Sequence, residues 1–173
     1  MAAHDLFEGA TGEPWVSLQF IELCGNHCFD LLAAVTKEKR PELRLREHSD
    51  GSYAPEGASQ LQPRSPQELC AALRTAHARR ATSATDANAT SSRSHAVCTM
   101  RLLRSGGQLT LADCAGTERR KDSMYHSKER QQEGAEINAS LHALKECVRY
   151  ASSRQRVPPH VFRASALTNL LSG

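Results

Sequence analysis

NATSSRSH (88–95), AVCTMRLLRSGGQLTLA (96–112) and DCAGTER (113–119) follow one another without a break, and this stretch decides the fold. Its middle holds two β-like runs, 96–104 and 108–113, joined by Ser105-Gly106-Gly107. A short glycine-containing connection between such runs predicts an antiparallel hairpin. Each end of the hairpin carries chemistry. Before it stand clustered hydroxyls with an arginine; after it stand Asp113 and, three residues on, Gly116. A magnesium-bound nucleotide needs hard oxygen ligands, which a hydroxyl and a carboxylate supply. A glycine beside the terminal phosphate lets its backbone N–H approach closely. Each residue also has a plain structural reading, as a turn cap or a surface ion pair. Only the set, in order around a hairpin, favours the nucleotide.

Working outward, Val16–Leu23 (VSLQFIEL) alternates before a short apolar run and predicts a strand, followed by a turn at Gly25-Asn26. Phe29–Leu32 is expected to be a short helical or apolar segment, and Leu43–Arg46 a second short strand. Residues 49–66, with Gly, Ser and three prolines, predict loop with short edge strands at most. Ser65-Pro66 opens a helix, with Ser as N-cap, Pro at the first helical position and Glu68 behind it. Its stripe is Leu69, Ala72, Leu73 and Ala76. The polar run from Arg79 to His95 predicts a functional loop or disorder. From Glu133, Ile137, Leu141, Leu144, Val148 and Ala151 fall at helical spacing, giving about five turns before Val157-Pro158-Pro159. Residues 119–132 lack a hydrophobic period and read as loop or a frayed start. A last short helix begins near Ser165. Strands mixed with helices in one undivided domain make the class α/β.

The chain has 173 residues, 39% hydrophobic and 24% charged, and net charge +3. From Arg119 to Arg163 there are ten Lys/Arg against five Asp/Glu; the remainder has twelve against fourteen. Such a basic stretch points to an acidic partner surface, with a solvated helix face as the plain alternative. No apolar run approaches the roughly 20 residues of a membrane span, and the N-terminus has no secretory pattern, so a cytosolic setting is expected. Six cysteines lack the spacing of a zinc site and read as reduced thiols. A nucleic-acid binder ranks last, because aromatics are only 5% and no stacking platform is legible.

The motifs carry a family resemblance. Asn88–His95 resembles the kinesin switch I signature NxxSSRSH at every defined position, and Asp113–Arg119 resembles switch II, DLAGSER, with Cys114 and Thr117 substituted. VSLQFIELCGNHCFDLL (16–32) is similar to the kinesin strand that runs into EIYNE…DLL. Arg80, Thr85 and Asn88 match the spacing that leads into switch I. EGAEINASLHALKECVR (133–149) resembles the internal-motor, microtubule-depolymerising branch, where EGAEINKSLLALKECIR is typical.

The resemblance implies a partial kinesin-type P-loop NTPase motor domain over residues 1–173, a mixed central sheet with flanking helices. Switch I would be 88–95, switch II 113–118 and the tubulin-facing helix about 133–151. It implies that Ser92 faces magnesium and the terminal phosphate, that Asp113 holds magnesium through water, and that Gly116 donates its N–H to that phosphate. Asn88 and Ser91 would line the phosphate pocket. Arg93 and Glu118 would form the ion pair that closes the switches and positions the attacking water. Lys145, Glu146, Cys147 and Arg149 would contact tubulin, placing the protein on the microtubule cytoskeleton with Mg·ATP as its cofactor.

Lysines of the family pattern are replaced by Ala139 and Ala166. No glycine in these 173 residues is followed by lysine, so the phosphate-binding loop GxxxxGK[ST] is absent from them. The expectation is therefore the C-terminal half of a motor domain, with negligible ATP hydrolysis by this stretch alone. The alternative reading is a non-catalytic microtubule-binding or scaffolding module.

Overall fold

The computed structural model describes residues 2–8, 14–34, 42–82, 93–116 and 128–172. The strands are β1 (Val16–Cys24), β2 (His27–Asp30), β3 (Glu42–Leu43), β4 (Leu45–Glu47), β5 (Tyr53–Pro55), β6 (His95–Leu102) and β7 (Gln108–Asp113). The helices are α1 (Ala2–Leu6), α2 (Pro66–Thr82), α3 (Lys128–Ser152), α4 (Pro159–Phe162) and α5 (Ala166–Leu170). Five strands form one sheet in the order β3-β2-β1-β6-β7, and β4 pairs with β5 separately. All described pairings are antiparallel.

Period-2 alternation in β1 and β6 splits the core in two. Val16, Leu18 and Phe20 of β1 join Ala96 and Cys98 of β6 on one face, where Leu69 and Ala76 of α2 and Phe7 close the cluster. Ile21, Leu23 and Val97 face the other way and meet Ala166 and Leu167 of α5, with Leu144 of α3 at the margin. Helices α2 and α3 thus lie on opposite sides of the sheet.

The predicted hairpin is β6–β7, with Gly106 at φ +72° in its turn. Helix α2 is capped as read: Ser65 Oγ accepts the Glu68 N–H at 3.2 Å, and the Glu68 carboxylate accepts the Arg64 N–H at 2.8 Å. In α5, Ser165 and Thr168 form a reciprocal capping box.

Four expectations need correction. Phe29-Asp30 is not helical; it ends β2, which pairs with β1 through Ile21–Asp30. Asp30 Oδ1 then accepts the N–H groups of Leu32 and Ala33, turning the chain away from the sheet. Leu43–Arg46 is two strands rather than one, interrupted at Arg44 and paired into different sheets. The polar run after Arg79 begins as helix, since α2 continues to Thr82.

The fourth correction concerns α3, which starts at Lys128, a full turn earlier than its apolar period shows. Its inward stripe is Ile137, Ser140, Ala143 and Cys147, not the expected run through Leu141, Val148 and Ala151; Val148 is 56% exposed. A serine on the buried stripe hides the true phase of the helix from a hydrophobicity reading.

Candidate phosphate-sensing site and its helix

Strand alternation delivers charged and polar groups to both sides of the sheet at one end. Glu22 and Ala96 are paired neighbours, as are Ala96 and Asp113, so Glu22, Ser94 and Asp113 share the α2 face. His95 falls on the α3 face.

On the α2 face, Arg80 collects these groups. It is 4% exposed, and Glu22 is 1% exposed. Arg80 Nη1 donates to Asp113 Oδ2 at 2.5 Å, and Nη2 donates to the Ser94 carbonyl at 2.7 Å. Its Nε donates to Ser94 Oγ at 3.3 Å and lies 3.9 Å from Glu22 Oε1. Ser94 Oγ in turn donates to Glu22 Oε1 at 2.7 Å. A buried carboxylate and a buried guanidinium each cost several kcal/mol of desolvation, which their mutual pairing and hydrogen bonds offset. Asp113 sits at the rim, its side chain 66% exposed.

On the α3 face, the His95 ring bridges two elements. Its Nδ1 accepts the Ala115 N–H at 3.1 Å, and its Nε2 lies 2.8 Å from Ser140 Oγ. Burial first, and the Arg80 charge second, hold its pKa below the ordinary value. Burial also raises the thiol of Cys114, with the neighbouring Asp113 carboxylate adding to it.

Of the sequence-predicted site residues, Asp113 and Gly116 stand at the end of β7, and Arg93 stands just before β6. Asn88, Ser91, Ser92 and Glu118 lie outside the described residues. Arg93 Nη1 lies 3.5 Å from Glu133 Oε2 in α3, so its described ion-pair partner links the start of β6 to that helix. Lys145 and Arg149 are exposed and Glu146 is half-buried, with Glu146 and Arg149 paired at 2.9 Å. Cys147 is buried. The outward face at this level of α3 is therefore Lys145, Val148 and Arg149.

Sequence reasoning missed Glu22, and it saw Arg80 only as a spacing match. The usable signal for Glu22 is its place in β1 among Val16, Leu18, Phe20, Ile21 and Leu23, where a lone carboxylate requires a partner.

The donor set suits a hydrated cation. Asp113 offers a hard carboxylate oxygen at an accessible rim, and Arg80 already neutralises much of its charge. That favours contact through a water shell over direct coordination.

Among the described residues no group of three His, Cys, Asp or Glu side chains could enclose a metal ion. No described helix is long and apolar enough to cross a membrane.

A family profile described as "Kinesin motor domain" matches residues 1–173. The chain is 35% identical over 160 residues to Diatom spindle kinesin-1 of Cylindrotheca fusiformis, covering 90% of this chain and 24% of that protein. It is 35% identical over 180 residues to kinesin-like protein KIF24 of Homo sapiens, covering 99% of this chain and 13% of that protein. Among solved structures, it superposes with a TM-score of 0.75 and 28% identity on KIF14 (391–755) with ADP in complex with a microtubule. That match covers 98% of this chain and 53% of the KIF14 chain. A structure of a fast kinesin matches with a TM-score of 0.71 and 25% identity, over 98% of this chain and 50% of that one. The chain thus spans about half of these solved motor chains and under a quarter of the curated relatives. A mixed α/β fold, matched along its whole length by one family, places this chain in the kinesin motor domain family.

Proposed function

We propose that this chain forms the phosphate-sensing and tubulin-facing part of a Mg·ATP-dependent microtubule motor. The observation that carries the reading is the convergence of Glu22, Arg80, Ser94 and Asp113 at the end of β1, β6 and β7, with Gly116 three residues past Asp113. Arg80 fixes the Asp113 carboxylate from behind and leaves its outer side open. Ser92 and Asp113 would hold the magnesium ion, Asp113 through water, and Asn88 and Ser91 would line the phosphate pocket. Bound Mg·ATP supplies the terminal phosphate whose presence or loss the two segments report.

Within this reading Gly116 offers its amide to the phosphate, and Arg93 with Glu118 positions the attacking water. Helix α3 carries the response to the microtubule. Its exposed Lys145 and Arg149, one turn apart and flanking Val148, match an acidic tubulin surface. The resemblance of residues 133–149 to the internal-motor branch supports a microtubule motor or depolymerase in a microtubule-cytoskeletal setting.

Co-pelleting of the full-length polypeptide with microtubules tests this. Binding is expected to weaken with salt, to differ between Mg·AMP-PNP and Mg·ADP, and to fall several-fold in K145A/R149A. Salt-sensitive binding that ignores nucleotide would overturn the motor reading and leave the non-catalytic microtubule-binding module.

A further inference from the structure

We propose that His95 is a positioning residue whose imidazole, locked in one tautomer by Ser140, ties the backbone after β7 to helix α3. The inference rests on the reading above, in which the Gly116 amide meets the terminal phosphate, and it names how that site is coupled to the helix.

The directions of three hydrogen bonds fix the tautomer. Ser140 Oγ donates its single proton to the Ile137 carbonyl at 2.7 Å. It can therefore only accept from His95 Nε2, 2.8 Å away. Nε2 thus carries the ring proton, and in the neutral ring Nδ1 is left bare to accept the Ala115 N–H at 3.1 Å. The chain runs one way: Ala115 N–H to the ring, the ring to Ser140, Ser140 to the helix backbone. Exposures of 4% at Ala115, 3% at His95, 8% at Ser140 and 2% at Ile137 leave little room for water to replace any link.

Two consequences follow. A phosphate that draws on the Gly116 amide displaces Ala115, one peptide away, and the ring passes that displacement to the middle of α3. Conversely, losing Ser140 permits the Nδ1–H tautomer, which opposes the Ala115 N–H with a donor. Ser140 and Ala115 bond opposite nitrogens of the ring, so each sets whether the other is satisfied. Arg93–Glu133 supplies a second, more exposed tie between the start of β6 and α3.

The test is site-resolved hydrogen exchange on the full-length polypeptide, first without nucleotide. In S140A the Ala115 amide is expected to exchange about tenfold faster, the size of one lost hydrogen bond, and S140T should restore protection. H95N keeps an acceptor near the Nδ1 position and should protect Ala115 while loosening α3. H95Q keeps a donor near Nε2 and should do the reverse. These two variants decide the matter if S140A does not fold.

Unchanged Ala115 exchange in S140A, or equal loss at both places in H95N and H95Q, would overturn the coupling. With Mg·AMP-PNP added, residues 113–116 and 128–152 should respond together in the wild type and separately in S140A. A wild type with no response at 113–116 would instead overturn the functional reading, while the nucleotide-free arm still judges the coupling.

Discussion

Arg80 and Asp113, 33 positions apart in sequence, meet at 2.5 Å at the end of the sheet, the guanidinium buried and the carboxylate open to solvent. The arrangement gives Asp113 a fixed direction without enclosing it. It also gives the buried Glu22 its compensating charge through Ser94 and the guanidinium edge. A site residue is thereby anchored in the core rather than on a loop, which is how a carboxylate keeps its geometry when the segments around it move.

Removing Arg80 alone should be severe. R80A leaves Glu22 buried beside an unmatched Ser94, and the expected loss is about 3–5 kcal/mol of unfolding free energy. The double variant R80A/E22L should lose clearly less than the sum of its singles, because the stranded charge is gone. Urea denaturation midpoints check this, and simple additivity would contradict the buried pairing.

Acid should weaken the fold through His95. Its folded pKa is depressed from the ordinary 6.5 by burial and by Arg80, with Asp113 opposing. Below about pH 6.5 the unfolded chain therefore binds a proton that the folded chain resists, so stability falls as pH drops from there toward the lower folded pKa. At neutral pH the contribution is fully present. A thermal-melting series in H95N should show a smaller decline over that window, and an unchanged slope would remove His95 as the cause.

Gly25 should not tolerate a side chain. It sits at φ +59° in the β1–β2 turn, and a Cβ there would lie 2.2 Å from Glu136 Oε2 of α3. G25A should cost about 1–2 kcal/mol from the left-handed backbone alone. Adding E136A should recover only the portion due to the clash, and full recovery in denaturation curves would contradict the backbone argument.

The thiols should label in two classes. Burial pushes Cys28 up to about 12 and Cys98 up to about 11, and both are 5% exposed or less. Iodoacetamide at about pH 8 should spare them in the native protein and modify them after unfolding, as only thiolates react. Cys24 and Cys70, partly exposed, should react first; peptide mapping by mass spectrometry reads the order.

Much of this was legible from local pattern. Strand β1, the β6–β7 hairpin and the caps at Ser65 and Ser165 carry period or capping signals within a few residues. What could not be read depends on partners far along the chain. Strand β2 is four residues, too short to show alternation, and is made a strand by β1 opposite it. The first turn of α3, Lys-Glu-Arg-Gln-Gln, has no apolar residue to mark it. Ser140 sits on the buried stripe because His95 waits there, so the phase read from Leu141 and Val148 was rotated by one position. That rotation placed Val148 within the core, where burial does not put it, while Cys147, named as a tubulin contact from the resemblance, is buried. At the site, Asp113, Gly116 and Arg93 were marked by motif, but a buried Glu22 and Arg80 look like surface charges until the sheet folds them together.

The most direct test compares microtubule affinity of the full-length polypeptide in Mg·AMP-PNP and Mg·ADP, for wild type and for D113N. A nucleotide-dependent difference is expected in the wild type and should vanish in D113N, while salt-sensitive binding through α3 persists. Equal wild-type affinity in both nucleotides, or a difference that survives in D113N, would contradict the motor reading.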